Sequence, residues 1–137
     1  MVFDTMVLAY ALLGVVPFRD DSLDALRRSE DIVVADLFYP EFTNVLWQWV
    51  RARGVLLDHA VTVLRDAEAL VTETVPASQM TDQALELAVA SDVAVYDALF
   101  VVLALQRDSK LISYDRKLLE RFPDVAISPP DFLARTR

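Results

Sequence analysis

Four carboxylates stand at equivalent places along this chain. Asp4, Glu41, Asp97 and Asp115 each fall just after a short apolar run or in the first turn of a helix. In a parallel sheet, strand ends and the helix starts that follow them share one edge, and open α/β proteins bind ligands outside that edge. On that geometry the four acids converge. Helix dipoles favour their anionic forms, but two unit charges about 4 Å apart repel by roughly 4 kcal/mol at an effective dielectric near ~20. Joint ionisation therefore calls for a cation.

An all-oxygen donor set that keeps some water suits Mg²⁺ or Mn²⁺, whereas zinc wants His or Cys, and the chain has 1 histidine and 0 cysteines. Such an ion can activate water and stabilise charge developing on a phosphate. The chemistry indicated is hydrolysis of a phosphodiester. An ordinary reading stands beside it for each acid: helix caps for Asp4, Asp97 and Asp115, and a solvated helix face for Glu41.

Composition bounds the rest. The 137 residues fit one domain, residues 1–137, large enough for a core without metal or disulfide staples. A hydrophobic content of 55% with only 2 glycines argues against disorder. The absence of cysteine removes disulfides, thiolate metal sites and thiol nucleophiles. The apolar run from Met6 to Phe18 is too short to span a bilayer, and Asp4 sits where a secretory signal would carry positive charge. We expect a cytoplasmic protein with no membrane contact. The net charge of -8 argues against a broad nucleic-acid-binding surface, so any such chemistry must be local, metal-assisted or helped by a partner.

The elements that position the acids follow from apolar patterning. Val2-Phe3 reads as a buried strand ending at Asp4, and Asp4 or Thr5 starts a helix through Leu13 that stops at Gly14. Asp20, Asp21 and Ser22 open a second helix through about Arg28. Ile32 to Ala35 is a β-branched strand, and Asp36 is expected to cap a third helix that ends at Gly54. On that helix Glu41, Asn44 and Gln48 share one line, while Phe42, Val45, Leu46 and Trp49 form the stripe toward the core.

A fourth helix starts around Asp58, Val71 to Val75 reads as an edge strand, and a fifth helix runs through Ala84, Leu87 and Ala88. Asp97 begins a helix apolar nearly all round, Ala98 to Leu105, which must be buried. Lys110 to Ser113 is a strand ending at Tyr114-Asp115, a helix starts at Arg116-Lys117, and Val125 to Ser128 is a last strand. Alternating strands and helices imply βαβ units and a mostly parallel sheet.

Phe3-Asp4-Thr5-x-Val7-Leu8, Glu41-x-x-Asn44-Val45-Leu46, Tyr96-Asp97-Ala98 and Ser113-Tyr114-Asp115-x-x-Leu118 occur in that order across nearly the whole chain. Together they resemble the PIN domain family, especially the VapC-type toxins of bacterial and archaeal toxin-antitoxin pairs. The resemblance implies a three-layer α/β/α sandwich and Mg²⁺- or Mn²⁺-dependent endoribonuclease activity on an RNA substrate. It also implies inhibition by a small antitoxin protein bound near the acidic pocket. Asp4, Glu41, Asp97 and Asp115 match the family's metal-binding acids, Thr5 and Ser113 match hydroxyl positions beside the site, and Asn44 matches a polar position one turn after the glutamate. Met6 departs from the pattern, since a small polar residue commonly follows Asp-Thr there.

Other residues have plainer readings. Arg116 and Lys117 beside Asp115 can meet substrate phosphate or be exposed helix charges. Asp92 reads as solvated or capping, with an extra acid near the pocket as the alternative, and His59 as a surface or core-margin histidine in preference to a catalytic base. Trp49 is assigned to the core and Trp47 to a partner contact. The apolar surplus makes a homodimer the expected assembly. Two rival functions are a haloacid-dehalogenase-like phosphatase and a non-catalytic PIN-like module that binds RNA or protein. The phosphatase would want an acid where Met6 stands. A response-regulator receiver is excluded more strongly, because this chain lacks the acidic pair such a domain carries before its first helix.

Overall fold

Four short apolar runs and one mixed segment, β3, form five strands: β1 (Val2–Phe3), β2 (Val33–Ala35), β3 (Glu73–Val75), β4 (Leu111–Ile112) and β5 (Ala126–Ile127). The computed structural model describes residues 1–136. The strand order is β3-β2-β1-β4-β5, and every neighbouring pair is parallel. Val2 sits opposite Val33 on one side and Leu111 on the other, so β1 is the central strand. β1, β2, β4 and β5 are buried throughout, the mark of a sheet covered on both faces. β3 is an edge strand with only Val75 buried.

The helices are α1 (Thr5–Leu13), α2 (Arg19–Arg28), α3 (Phe38–Arg53), α4 (Leu57–Leu70), α5 (Thr81–Ser91), α6 (Val95–Gln106), α7 (Arg116–Arg121) and α8 (Pro129–Arg135). A 3-10 turn spans Ala77–Gln79. From β1 to β3 the chain steps one way across the sheet; from β3 it jumps back past β1 to β4 and β5. Right-handed crossovers therefore put α1 to α4 on one face and α5 to α7 on the other. Packing agrees: α1 lies against α2, α3 and α4, whereas α6 rests on α5, β1, β2 and β4. The result is a three-layer α/β/α sandwich.

The reversal of direction lies between β1 and β4, where a crevice opens at the carboxyl ends of the strands. Beyond the strands the ladder continues for one step: the Asp4 N–H donates to the Ile112 carbonyl at 3.0 Å, and the Ser113 N–H to the Ile127 carbonyl at 3.0 Å. Asp4 and Ser113 are thus neighbours at the crevice.

Local chemistry fixes the helices. α1 and α3 both end on glycines in the left-handed region, Gly14 at φ +70° and Gly54 at φ +68°. Ala98 to Ala104 of α6 are all buried, as an all-round apolar helix must be. Among the described residues no single helix is long and apolar enough to cross a membrane.

Three expectations need correction. Asp36 does not cap α3; Leu37 holds that position, and the Asp36 carboxylate instead accepts the Ala77 N–H at 2.9 Å, tying the end of β2 to the turn after β3. Trp49 is only half-buried, because the buried line of α3 is Phe38, Phe42 and Leu46, and its ring carries the Arg53 guanidinium at 4.7 Å. After β5, where the sequence reading assigns no element, the chain forms α8, with Ser128 accepting the Asp131 N–H and prolines in the first turn. β3 is also shorter than the run from Val71.

Candidate active site

β1 holds Asp4 with little slack, since Val2 and Phe3 are fully buried and the next residue emerges at the crevice. The extended backbone of Asp4 (φ -70°, ψ 147°) puts it at the N-cap position of α1, yet its side chain caps nothing. Asp4 Oδ2 accepts instead from the Ser113 hydroxyl at 2.7 Å. The same Ser113 oxygen accepts the Asp115 N–H at 3.0 Å. Ser113 is fully buried, so this hydroxyl is fixed on both sides.

Glu41 projects from the first turn of α3, and its Oε1 accepts from the Thr5 hydroxyl at 2.9 Å. Asp115 caps α7 through Oδ1, which takes the Leu118 N–H at 3.1 Å. Asp97 stands in the first turn of α6. Each of Asp4, Glu41 and Asp115 therefore has one oxygen tied by an internal donor, and the other is left for a ligand. Donors of this kind set the orientation and basicity of metal-binding carboxylates.

All four acids line one pocket of about 270 Å³, together with Thr5, Met6, Asn44, Val45 and Gln48. A larger hollow of about 550 Å³ between α5 and α6 carries Glu86 as its single carboxylate. Among the described residues no three acids yet close around one point as a bound ion requires. Their chemistry does fit a hard divalent cation: oxygen donors only, from four separate elements, held in partly buried surroundings.

Electrostatics give the same picture. Burial pushes the Asp4 carboxyl up to about 6; the Ser113 hydrogen bond pulls it down, while the Asp97 and Glu41 charges push it further up. Asp4 still keeps some surface open to the pocket. Glu41 is raised by burial, against the Thr5 hydrogen bond and with the Asp97 charge. Asp97 is raised by burial and by Asp115, and lowered by Lys117. The four acids thus repel one another across the pocket, as a cluster awaiting positive charge must.

The remaining candidates fall as follows. Asn44 lines the pocket one turn after Glu41. Arg116 and Lys117 are exposed at the start of α7, and the Lys117 charge is felt by Asp97. His59 is exposed on α4, and Asp92 is an exposed C-cap of α5 at φ 52°. Met6 faces the pocket, so an apolar thioether occupies the place of a polar neighbour. Gln48 was not singled out from the sequence as a site residue; its signal was its position on the polar line with Glu41 and Asn44.

Comparison with known proteins adds the following. The sequence profile of the family described as PIN domain matches residues 1–125. The chain is 33% identical over 121 residues to a protein named Ribonuclease VapC3 from Pyrobaculum aerophilum, covering 84% of this chain and 90% of that one. Among solved structures it is similar to PAE2754 from Pyrobaculum aerophilum, with a TM-score of 0.72 and 22% identity over 98% of this chain and 92% of that one. A toxin-antitoxin complex from Klebsiella pneumoniae gives a TM-score of 0.69 at 18% identity, over 93% and 96%. VapBC2 from Rickettsia felis, bound to a DNA fragment from its promoter, gives 0.63 at 11% identity, over 93% and 98%. These structures share the fold.

Proposed function

Because this chain belongs to the PIN domain family, we propose that it is a metal-dependent endoribonuclease and the toxin of a type II toxin-antitoxin pair. The observation that carries this is the meeting of Asp4, Glu41, Asp97 and Asp115 in one pocket. The ribonuclease name of its relative and the toxin-antitoxin complexes that share its fold support the same reading. We read residues 1–137 as one cytoplasmic domain.

Asp4, Asp97 and Asp115 would hold Mg²⁺ or Mn²⁺. Bound there, the ion supplies Lewis-acid stabilisation of phosphate charge and acidifies water. The chain's own residues do the positioning. Ser113 ties Asp4 through Oδ2, which would leave Oδ1 for the ion, and Thr5 ties Glu41 through Oε1, which would leave Oε2 for a second ion or a water. The Leu118 N–H fixes Asp115 in the same way. Asn44 adds an amide at the pocket wall, and Arg116 and Lys117 meet substrate phosphate at its rim.

Partners follow from this reading. RNA is the substrate, and a small antitoxin protein covers the site. A second copy of the chain would pack on the apolar face of α5, where Leu85 and Val89 stand one turn apart and exposed. The phosphatase reading is not favoured, since Met6 lies in the pocket where its second acid would be needed.

The test is incubation of purified protein with single-stranded and structured RNAs in Mg²⁺ or Mn²⁺, beside EDTA and Asp97→Asn controls. Cleavage that vanishes in both controls is expected. Cleavage that persists unchanged in both would overturn the mechanism.

A further inference from the structure

The polar line on α3 does not stop at the pocket. Glu41, Asn44 and Gln48 all line it, and the same spacing continues to Arg51, three residues beyond Gln48 on the same side of the helix. Asn44, Gln48 and Arg51 are all exposed. At about 1.5 Å of rise per residue, Arg51 lies roughly 15 Å along the axis from Glu41. Phosphates of a helical strand are about 3.4 Å apart along their axis, so that span is at most about four nucleotides.

Arg51 is also organised as a binding group. Its guanidinium lies 5.3 Å from the ring centre of Trp47, a residue 55% exposed. Stacking on the indole limits the guanidinium's freedom while leaving its N–H donors to solvent. The ion pairs among the described residues involve Arg19, Arg27, Arg65 and Arg107; Arg51 is in none of them. In a chain of net charge -8, an arginine without an acid, set in line with a pocket built for phosphodiester chemistry, has an anion to meet.

We propose that Arg51, held by Trp47, is a distal phosphate-binding subsite for the RNA strand, a few nucleotides from the bond cut in the acidic pocket. This rests on the ribonuclease reading. The strand enters over Arg116 and Lys117 on one side of the pocket and leaves along α3 on the other. Trp47 is a positioning residue.

The experiment follows binding without cleavage. The Asp97→Asn protein in Mg²⁺ is titrated with a fluorescein-labelled pool of random-sequence single-stranded RNA, by fluorescence anisotropy over a range of salt concentrations. Adding Arg51→Gln should weaken binding roughly tenfold, as loss of a charged hydrogen bond does. It should also reduce the slope of log K against log salt by about 0.7, the share of one single-strand phosphate. Arg51→Lys should restore the slope. Trp47→Ala should weaken binding in the Arg51 background and add nothing once Arg51→Gln is present. An unchanged slope and affinity in Arg51→Gln, with RNA still bound, would overturn the subsite while leaving the nuclease standing. The pair would then belong to a protein contact, at the apolar groove that Trp47 lines with Val50 of α3 and Leu57, Val61 and Leu64 of α4. Additive effects of the two substitutions would overturn the positioning role of Trp47. If RNA binds neither protein, the nuclease reading fails and the subsite with it.

Discussion

The Ser113 hydroxyl donates to Asp4 Oδ2 at 2.7 Å, joining the ends of β1 and β4 across 109 residues of sequence. The bond sits on the line where the sheet reverses direction, and the same oxygen receives the Asp115 N–H. Two of the four acids are thus arranged by one buried atom. Ser113→Ala should lower cleavage roughly tenfold to a hundredfold, the usual cost of losing a group that orients a metal ligand. Because this bond holds the Asp4 carboxyl down, its loss should also move the acid limb of the pH-rate profile upward. A pH-rate profile that falls in height without moving would count against this role.

Asp4 makes the metal-free protein sensitive to pH in a defined direction. Burial first, then neighbouring charge, raises its carboxyl from 3.8 to about 6, so the folded state holds the proton more tightly than the unfolded chain. The associated stability is complete below the unfolded value and is lost as pH rises through about 6. Thermal melts in EDTA should show a decline across that window. Protons and cation compete for the same oxygens, so Mn²⁺ affinity should rise by roughly tenfold per pH unit up to about 6 and then level off. Calorimetric titration on either side of that value checks the point.

Asp97 is raised by burial and by Asp115 against the Lys117 charge, and among the described residues no hydrogen bond to its side chain adds to that opposition. Asp97→Asn should therefore do two opposite things. It should abolish cleavage and raise the melting temperature of the metal-free protein by a few degrees, because the burial cost of the charge and its repulsion by Asp115 are both removed. Differential scanning calorimetry in EDTA is the measurement.

Thr5 is almost wholly buried, and its hydroxyl meets Glu41. Thr5→Val keeps the shape and removes the donor. Cleavage should drop roughly tenfold or more, with the circular dichroism spectrum unchanged. Restoration by Thr5→Ser would tie the effect to the hydroxyl.

Gly54 ends α3 at φ +68°, and a Cβ built there meets nothing within 4 Å. Gly54→Ala should cost about 1 kcal/mol through backbone strain alone. Chemical denaturation should register that loss while activity at low temperature stays at the parent level.

The site was readable because its acids interrupt or follow apolar runs. Asp4 after Val2-Phe3 and Asp97 ahead of Ala98 to Leu105 mark strand and helix ends in any parallel sheet, so their convergence followed from topology. Ser113 and Thr5 were not readable in that way. A single hydroxyl beside an acid has many ordinary explanations, and only family resemblance pointed to these two. Asp36 misled for the converse reason: an acid before a helix is a good cap, but a nearby backbone N–H, that of Ala77, claimed it. Trp49 followed the expected stripe, yet the buried face of α3 turned toward Phe38, Phe42 and Leu46. That rotation depends on α1 and α4, which periodicity within α3 cannot report.

The central strand has only two residues, Val2 and Phe3, and both are sealed from water. The candidate site therefore begins one peptide away from the buried core. Substitutions that shrink Phe3 or Ile112 should lower RNA cleavage by letting Asp4 drift from its station, with the circular dichroism spectrum still that of the folded protein. A screen of random variants for lost RNA cleavage should accordingly return hits deep in the interior, interleaved with hits among the acids themselves.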